Sequence, residues 1–150
     1  MREILFRAKA INRNEGWSYR TNYKNGDWVY GLVITMYDDR FPNLPAEMKN
    51  TDGVSGIDVD YKTIGEYTGL TDKNGTKIFE GDIVKFRHDS EFDKKVYYRN
   101  YAVEFINTYV TYGLRLRNKG IHFPFKKATA LQHDAEVIGN IYDDPELLNA

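Results

Sequence analysis

Between residues 114 and 127 five basic side chains, Arg115, Arg117, Lys119, Lys126 and Lys127, occur without a single acid. His122 lies among them, and Phe123 and Phe125 are interleaved. Cations beside exposed rings suit single-stranded nucleic acid, because the charges attract phosphates and the rings stack on bases. The same run also reads as a strand with its charged side in water, Leu114-Arg115-Leu116-Arg117 alternating in type. Asp134, Glu136, Asp143, Asp144 and Glu146 follow closely enough to neutralise it.

A second candidate is acidic. Asp58 and Asp60 are two apart, so an extended backbone points both to one face, and Asp52 is near in sequence. Several carboxylate oxygens are what Mg²⁺ or Ca²⁺ requires, and metal-assisted phosphoryl chemistry would need such a set. A solvated acidic loop explains the same residues, and the further ligands cannot be named. His88, His122 and His133 are too far apart for a local metal motif. Ser18, Ser55 and Ser90 lack a nucleophile-elbow context, and the glycines occur singly rather than as a phosphate loop. With no cysteine there is neither a disulfide nor a thiolate nucleophile. No catalytic constellation or cofactor site emerges.

The third candidate is aromatic. Tyr97, Tyr98, Tyr101, Tyr109 and Tyr112 crowd two neighbouring segments. Tyr97 and Tyr101 share a parity and Tyr98 has the other, so a regular strand cannot bury all three on one side. Tyrosine is common at protein interfaces, where its ring supplies area and its hydroxyl tolerates water. Buried rings with wet hydroxyls would serve equally well as core.

The elements that must position these groups are mostly strands. Residues 2–10 alternate, with Ile4, Phe6 and Ala8 on one side and Glu3, Arg7 and Lys9 on the wet side. Residues 11–27 form a polar loop or hairpin tip, and Trp28 to Met36 is a strand apolar on both faces, expected to be covered on both. Pro42, Pro45 and an excess of acids mark 38–60 as an excursion over the surface. Tyr61 to Leu70 and Thr76 to Phe79 are paired strands around Asp72-Lys73-Asn74-Gly75, whose residue types fit a type I turn closed by a glycine bulge. After a tight turn at Gly81-Asp82, Ile83 to His88 alternates with Val84 and Phe86 opposite Lys85 and Arg87. Residues 89–95 are a charged tip, and Val96 to Ile106 and Tyr109 to Arg117 form another hairpin. Lys126 to Gln132 suits a short helix, Ala135 to Ile141 a strand, and Asp144-Pro145 a helix start with a capping carboxylate.

The expected fold is therefore mainly β, a small barrel or sandwich-type sheet with hairpins and one or two short helices. A length of 150 residues fits a single domain, or an N-terminal lobe 1–60 and a C-terminal β lobe 61–150. The aromatic share of 15% agrees with sheet. A formal net charge of −1 gives no global attraction to nucleic acid, and no apolar run has the ~20 residues of a membrane helix. The N-terminus lacks the apolar core of a signal peptide, so a cytoplasmic setting is expected.

Three segments carry a family likeness: Met1-Arg2-Glu3-Ile4-Leu5-Phe6-Arg7-Ala8, the stretch from Thr63-Ile64-Gly65-Glu66-Tyr67 through Asp72-Lys73-Asn74-Gly75 to Gly81-Asp82-Ile83-Val84, and Glu136-Val137-Ile138-Gly139-Asn140-Ile141-Tyr142-Asp143-Asp144-Pro145-Glu146-Leu147-Leu148. Together and in this order they resemble the YopX family of bacteriophage and prophage proteins, mostly from Gram-positive hosts. The resemblance implies a β-rich fold and a phage-derived accessory protein in the bacterial cytoplasm, with no catalytic residue or cofactor to carry over. Its shared glycines, Gly65, Gly69, Gly75, Gly81 and Gly139, read as structural. The leading expectation is a non-enzymatic module that binds another protein or itself through the tyrosines. Nucleic-acid binding by the 114–127 face is the alternative.

Overall fold

A computed structural model describes residues 3–11, 23–36, 46–54, 56–106, 111–116, 122–124 and 132–149. Eleven strands account for most of them: β1 (Phe6–Lys9), β2 (Trp28–Thr35), β3 (Ala46–Asn50), β4 (Ile57–Val59), β5 (Gly65–Thr71), β6 (Lys77–Phe79), β7 (Asp82–Asp89), β8 (Val96–Ile106), β9 (Thr111–Arg115), β10 (His122–Pro124) and β11 (Ala135–Asn140). Every strand pair is antiparallel, and no sheet closes into a barrel among the described residues. The fold is mainly β, as the patterning implies. The chain divides into two compact units, Met1–Glu66 and Tyr67–Ala150, and the division falls inside β5.

In the first unit the strands run in the order β4-β3-β2-β1, and β1 also pairs with the start of β5. Ala8, Ala10, Val29, Ala46, Met48, Ile57 and Val59 make its core. Four of these seven come from 38–60, so that stretch is not a surface excursion. Small and unbranched apolar residues at alternate positions of β3 and β4 suffice to build inner strands between the breakers. The second face of β2 is not covered either: Tyr30 and Leu32 are exposed while Val29 is fully buried. Ile4 is likewise exposed rather than inside with Ala8. Arg7, expected in water, is buried, with its guanidinium 4.5 Å from the centre of the Trp28 ring. A flat cation can lie on an indole face, and cross-strand packing of this kind overrides simple alternation. Residues Tyr61–Thr63 form a 3₁₀ turn instead of beginning a strand, because the Asp60 carboxylate accepts the Lys62 amide at 3.0 Å.

The second unit holds the β5–β6 hairpin and the sheet β10-β9-β8-β7-β11. Ile78, Val84, Tyr101, Val103, Leu114 and Ala135 form its core, with Leu70, Phe86, Leu116 and Val137 packed against them. The turn has the expected form. The Gly75 amide donates to the Asp72 carbonyl at 3.0 Å, the Asp72 amide donates to the Thr76 carbonyl at 2.9 Å, and Gly75 adopts φ +79°. Strand β10 was not foreseen; Pro124 is tolerated because it ends an edge strand. Of the helix expected over 126–132, residues 126–131 lie outside the described residues, and 132–134 form one helical turn. The chain ends in a 3₁₀ helix, Pro145–Asn149, and the Asp144 carboxylate reaches back to the Asn140 amide at 3.2 Å.

Candidate binding surface

The register of β7 with β8 sets what each face of the second sheet carries. Val84 opposes Tyr101 and Phe86 opposes Arg99 on the core side; Lys85 opposes Asn100 and Arg87 opposes Tyr98 on the other. On the far side of β7, β11 places Glu136 opposite Lys85. The outer face is thus polar by simple alternation, and its groups converge because the hairpin tip is tied to β11. The Asp72 carboxylate, itself buried, takes the Asn74 amide at 2.8 Å and the Thr76 amide at 2.9 Å through Oδ1, and the Val137 amide at 2.9 Å through Oδ2. The Lys73 amide donates to the Ala135 carbonyl at 3.0 Å. These four bonds hold Lys73 over the start of β11.

The result is a surface depression of about 360 Å³ lined by Lys73, Lys85, Arg87, Tyr98, His133, Asp134 and Glu136. Lys73 Nζ lies 2.8 Å from Glu136 Oε2, an exposed pair, and this hydrogen bond raises the Lys73 pKa above the ordinary lysine value. Arg87 is shared with Asp89 at 3.0 Å. Lys85 Nζ stands 5.0 Å from the centre of the Tyr98 ring, and among the described residues no carboxylate pairs with it.

At the end of the same strands, the connection between β7 and β8 is closed by a Ser90 amide bond to the Lys95 carbonyl at 2.9 Å. Asp93 accepts the Lys95 amide at 3.1 Å and the hydroxyl of Tyr97. That hydroxyl, and then Ser90, hold the Asp93 carboxyl below the usual carboxylate range, while the carboxylate pushes the Tyr97 phenol up. The tip presents Phe92 at 100% exposure, with Val96 at 45%, Tyr97 at 45% and Tyr98 at 58%.

The five tyrosines are therefore not one surface. Tyr97 and Tyr98 are exposed on opposite faces of β8. Tyr101 and Tyr112 are buried: Tyr101 shares its hydroxyl with His88 Nε2 at 2.9 Å, and Tyr112 packs edge-on against Phe105 at 5.3 Å. Tyr109 lies outside the described residues. Of the basic run, Arg115 is bound to Glu104 at 2.7 Å, and Arg117, Lys119, Lys126 and Lys127 lie outside the described residues. Asp52 sits in the turn after β3, Asp58 in β4 and Asp60 at the 3₁₀ turn; no group of three or more potential metal ligands gathers among the described residues. His88 is half-buried beside Phe86 and Tyr101, and burial, then Arg99, lowers its pKa. His133 lines the depression, far from any sequence motif that would have flagged it. The depression escaped sequence reasoning because its residues come from four separate segments. Its one local signal was the Lys85/Arg87 alternation.

Similarity to known proteins agrees with the fold. The family model described as YopX protein matches residues 6–149, nearly the whole chain. The chain belongs to the YopX family. It is also similar to the crystal structure of protein EF1440 from Enterococcus faecalis, at 22% identity and a TM-score of 0.53, with 99% of each chain covered. That likeness concerns the fold. No curated protein matches the sequence. Among the described residues, no helix is long and apolar enough to cross a membrane.

Proposed function

We propose that this YopX-family chain is a non-enzymatic accessory protein of phage or prophage origin, acting in the bacterial cytoplasm by binding a protein through the β7–β8 tip. The observation that carries the reading is Phe92, wholly exposed beside Val96, Tyr97 and Tyr98 on a tip that is otherwise charged. Scattered exposed apolar residues are ordinary, but four on one hairpin end make a contact element. Aromatic anchors framed by charge are the composition of interface centres and rims. The internal bonds of Asp93 fix the tip's shape before any partner arrives, which lowers the ordering cost of association. The partner is another protein or a second copy of the chain.

The test compares the natural chain with Phe92→Ser, a change at an exposed position that leaves the fold intact. Light scattering after size exclusion reads self-association, and affinity capture from cells undergoing prophage induction reads other partners. The reading expects a dimer, or a captured protein, that is lost with Phe92→Ser. A natural chain that is strictly monomeric and captures nothing the variant does not would refute it. The alternative, nucleic-acid binding by the 114–127 face, is weakened by the Arg115–Glu104 pair, and no specific contact favours it.

A further inference from the structure

The depression beside Tyr98 is distinct from the tip and offers a different chemistry. We infer that it binds a small organic phosphate carrying a planar base, a nucleoside monophosphate in chemical class. Three cations, Lys73, Lys85 and Arg87, reach it from the β5–β6 turn and from β7, against the acids Asp134 and Glu136. Lys85 is the centre of the site: among the described residues no carboxylate pairs with it, and its ammonium stands over the Tyr98 ring. A dianionic phosphate is the partner such a group lacks.

The other two cations are available as well. Lys73 and Glu136 are both exposed, as are Arg87 and Asp89, and exposed pairs hold their members weakly against a ligand of higher charge. Arg87 adds a planar fork that suits phosphate oxygens. The volume, about 360 Å³, is at the lower end of small-molecule sites and far larger than a phosphate alone requires. The remaining space borders Tyr98, whose ring is more than half exposed and can stack on a base. His133 on the rim adds charge as pH falls through the histidine range.

The position of Lys73 shows that the site is built and not a chance gathering of surface lysines. Its backbone is clamped to Ala135, and the residue before it is buried with its carboxylate on the Val137 amide. The hairpin therefore has a second role, that of carrying one wall of the depression. This inference does not rest on the protein-binding reading, since Phe92 lies outside the site.

Titration calorimetry of the full chain with adenosine 5′-monophosphate, inorganic phosphate and adenosine at low ionic strength tests it. Saturable binding of the nucleotide is expected, at least tenfold tighter than inorganic phosphate, with adenosine weaker than both. Lys85→Gln with Arg87→Gln should weaken the nucleotide at least tenfold, and Tyr98→Ala should bring it to the level of inorganic phosphate. Both changes are at exposed positions, and far-UV circular dichroism confirms that each variant folds. Absent nucleotide binding, or binding unchanged in the Lys85/Arg87 variant, would overturn the inference. Equal affinity for nucleotide and inorganic phosphate would overturn the base contact and with it the proposed ligand class.

Discussion

Replacing Asp72 by alanine should destabilise the second unit by roughly 3–4 kcal/mol, and the figure follows from three hydrogen bonds. The carboxylate is only 3% exposed and accepts the amides of Asn74, Thr76 and Val137, all within 2.9 Å. A hydrogen bond to a charged group contributes about 1.5–3 kcal/mol, so three would sum to more than twice the expected loss. The sum overstates the effect because Asn74 and Thr76 are exposed turn residues whose amides water can reach after truncation. The Val137 amide belongs to a sheet strand, and its lost acceptor is harder to replace. Asp72→Asn separates the two contributions. An amide oxygen can keep the turn, but the Nδ2 group then faces the Val137 N–H, so the cost falls to about 1–2 kcal/mol and concentrates on the link to β11. Urea unfolding with unchanged m-value gives the totals, and amide hydrogen exchange gives the location. In Asp72→Asn, exchange should quicken at Val137 and Lys73 while Gly75 stays protected. An Asp72→Ala cost below about 1 kcal/mol, or unchanged exchange at Val137 in Asp72→Asn, would refute the idea that this carboxylate docks the hairpin.

Other outcomes can be measured in the same way. A Cβ on Gly31 would lie 1.8 Å from the Lys49 carbonyl oxygen, a backbone atom in the adjacent strand, so Gly31→Ala should cost about 3 kcal/mol or prevent the first unit from folding. Gly139→Ala meets only side-chain ends, Asp144 Oδ2 at 2.6 Å and Leu147 Cδ1 at 2.9 Å; these can swing aside, and the loss should be about 1–2 kcal/mol by thermal unfolding. The His88 ring, held below the free value of 6.5 by burial and then by Arg99, resists a proton that the unfolded chain accepts. Its contribution to stability is therefore full above pH 6.5 and is lost as pH falls below that value toward the folded-state pKa. An NMR titration of His88 with its midpoint below 6.5 checks this, and the urea midpoint of His88→Gln should fall less on acidification than that of the natural chain.

What could be read from the sequence was what local chemistry decides. The Asp72–Gly75 turn, the strands β7 and β8 and the alternation of Val84, Lys85, Phe86 and Arg87 follow from residue types a few positions apart. Strands β3 and β4 were obscured because Ala46 and Met48 carry little strand preference and sit between Pro45 and the glycines at 53 and 56; their pairing with β2 decides their fate. Arg7 could not be read as buried without knowing that β2 lays Trp28 beside it. The same limit hid the binding depression, since no periodicity relates residue 73 to residues 85, 98 and 136. The tyrosine cluster divided for the parity reason visible at the outset, with Tyr97 and Tyr98 outside and Tyr101 inside.

The two tight glycine turns have a consequence for how the protein ages. Asn25-Gly26 and Asn74-Gly75 are the dipeptides most prone to deamidation, in which the glycine nitrogen attacks the asparagine side-chain carbonyl to form a cyclic imide. In the folded chain each of those nitrogens is already engaged, Gly26 with the Ala10 carbonyl at 2.8 Å and Gly75 with the Asp72 carbonyl at 3.0 Å. The imide also needs a backbone geometry that neither closed turn permits. Chemical damage at both places should thus be slow in native protein and rapid in urea, as mass spectrometry of stored samples would show. The hydrogen bonds that shape the hairpin also set its shelf life.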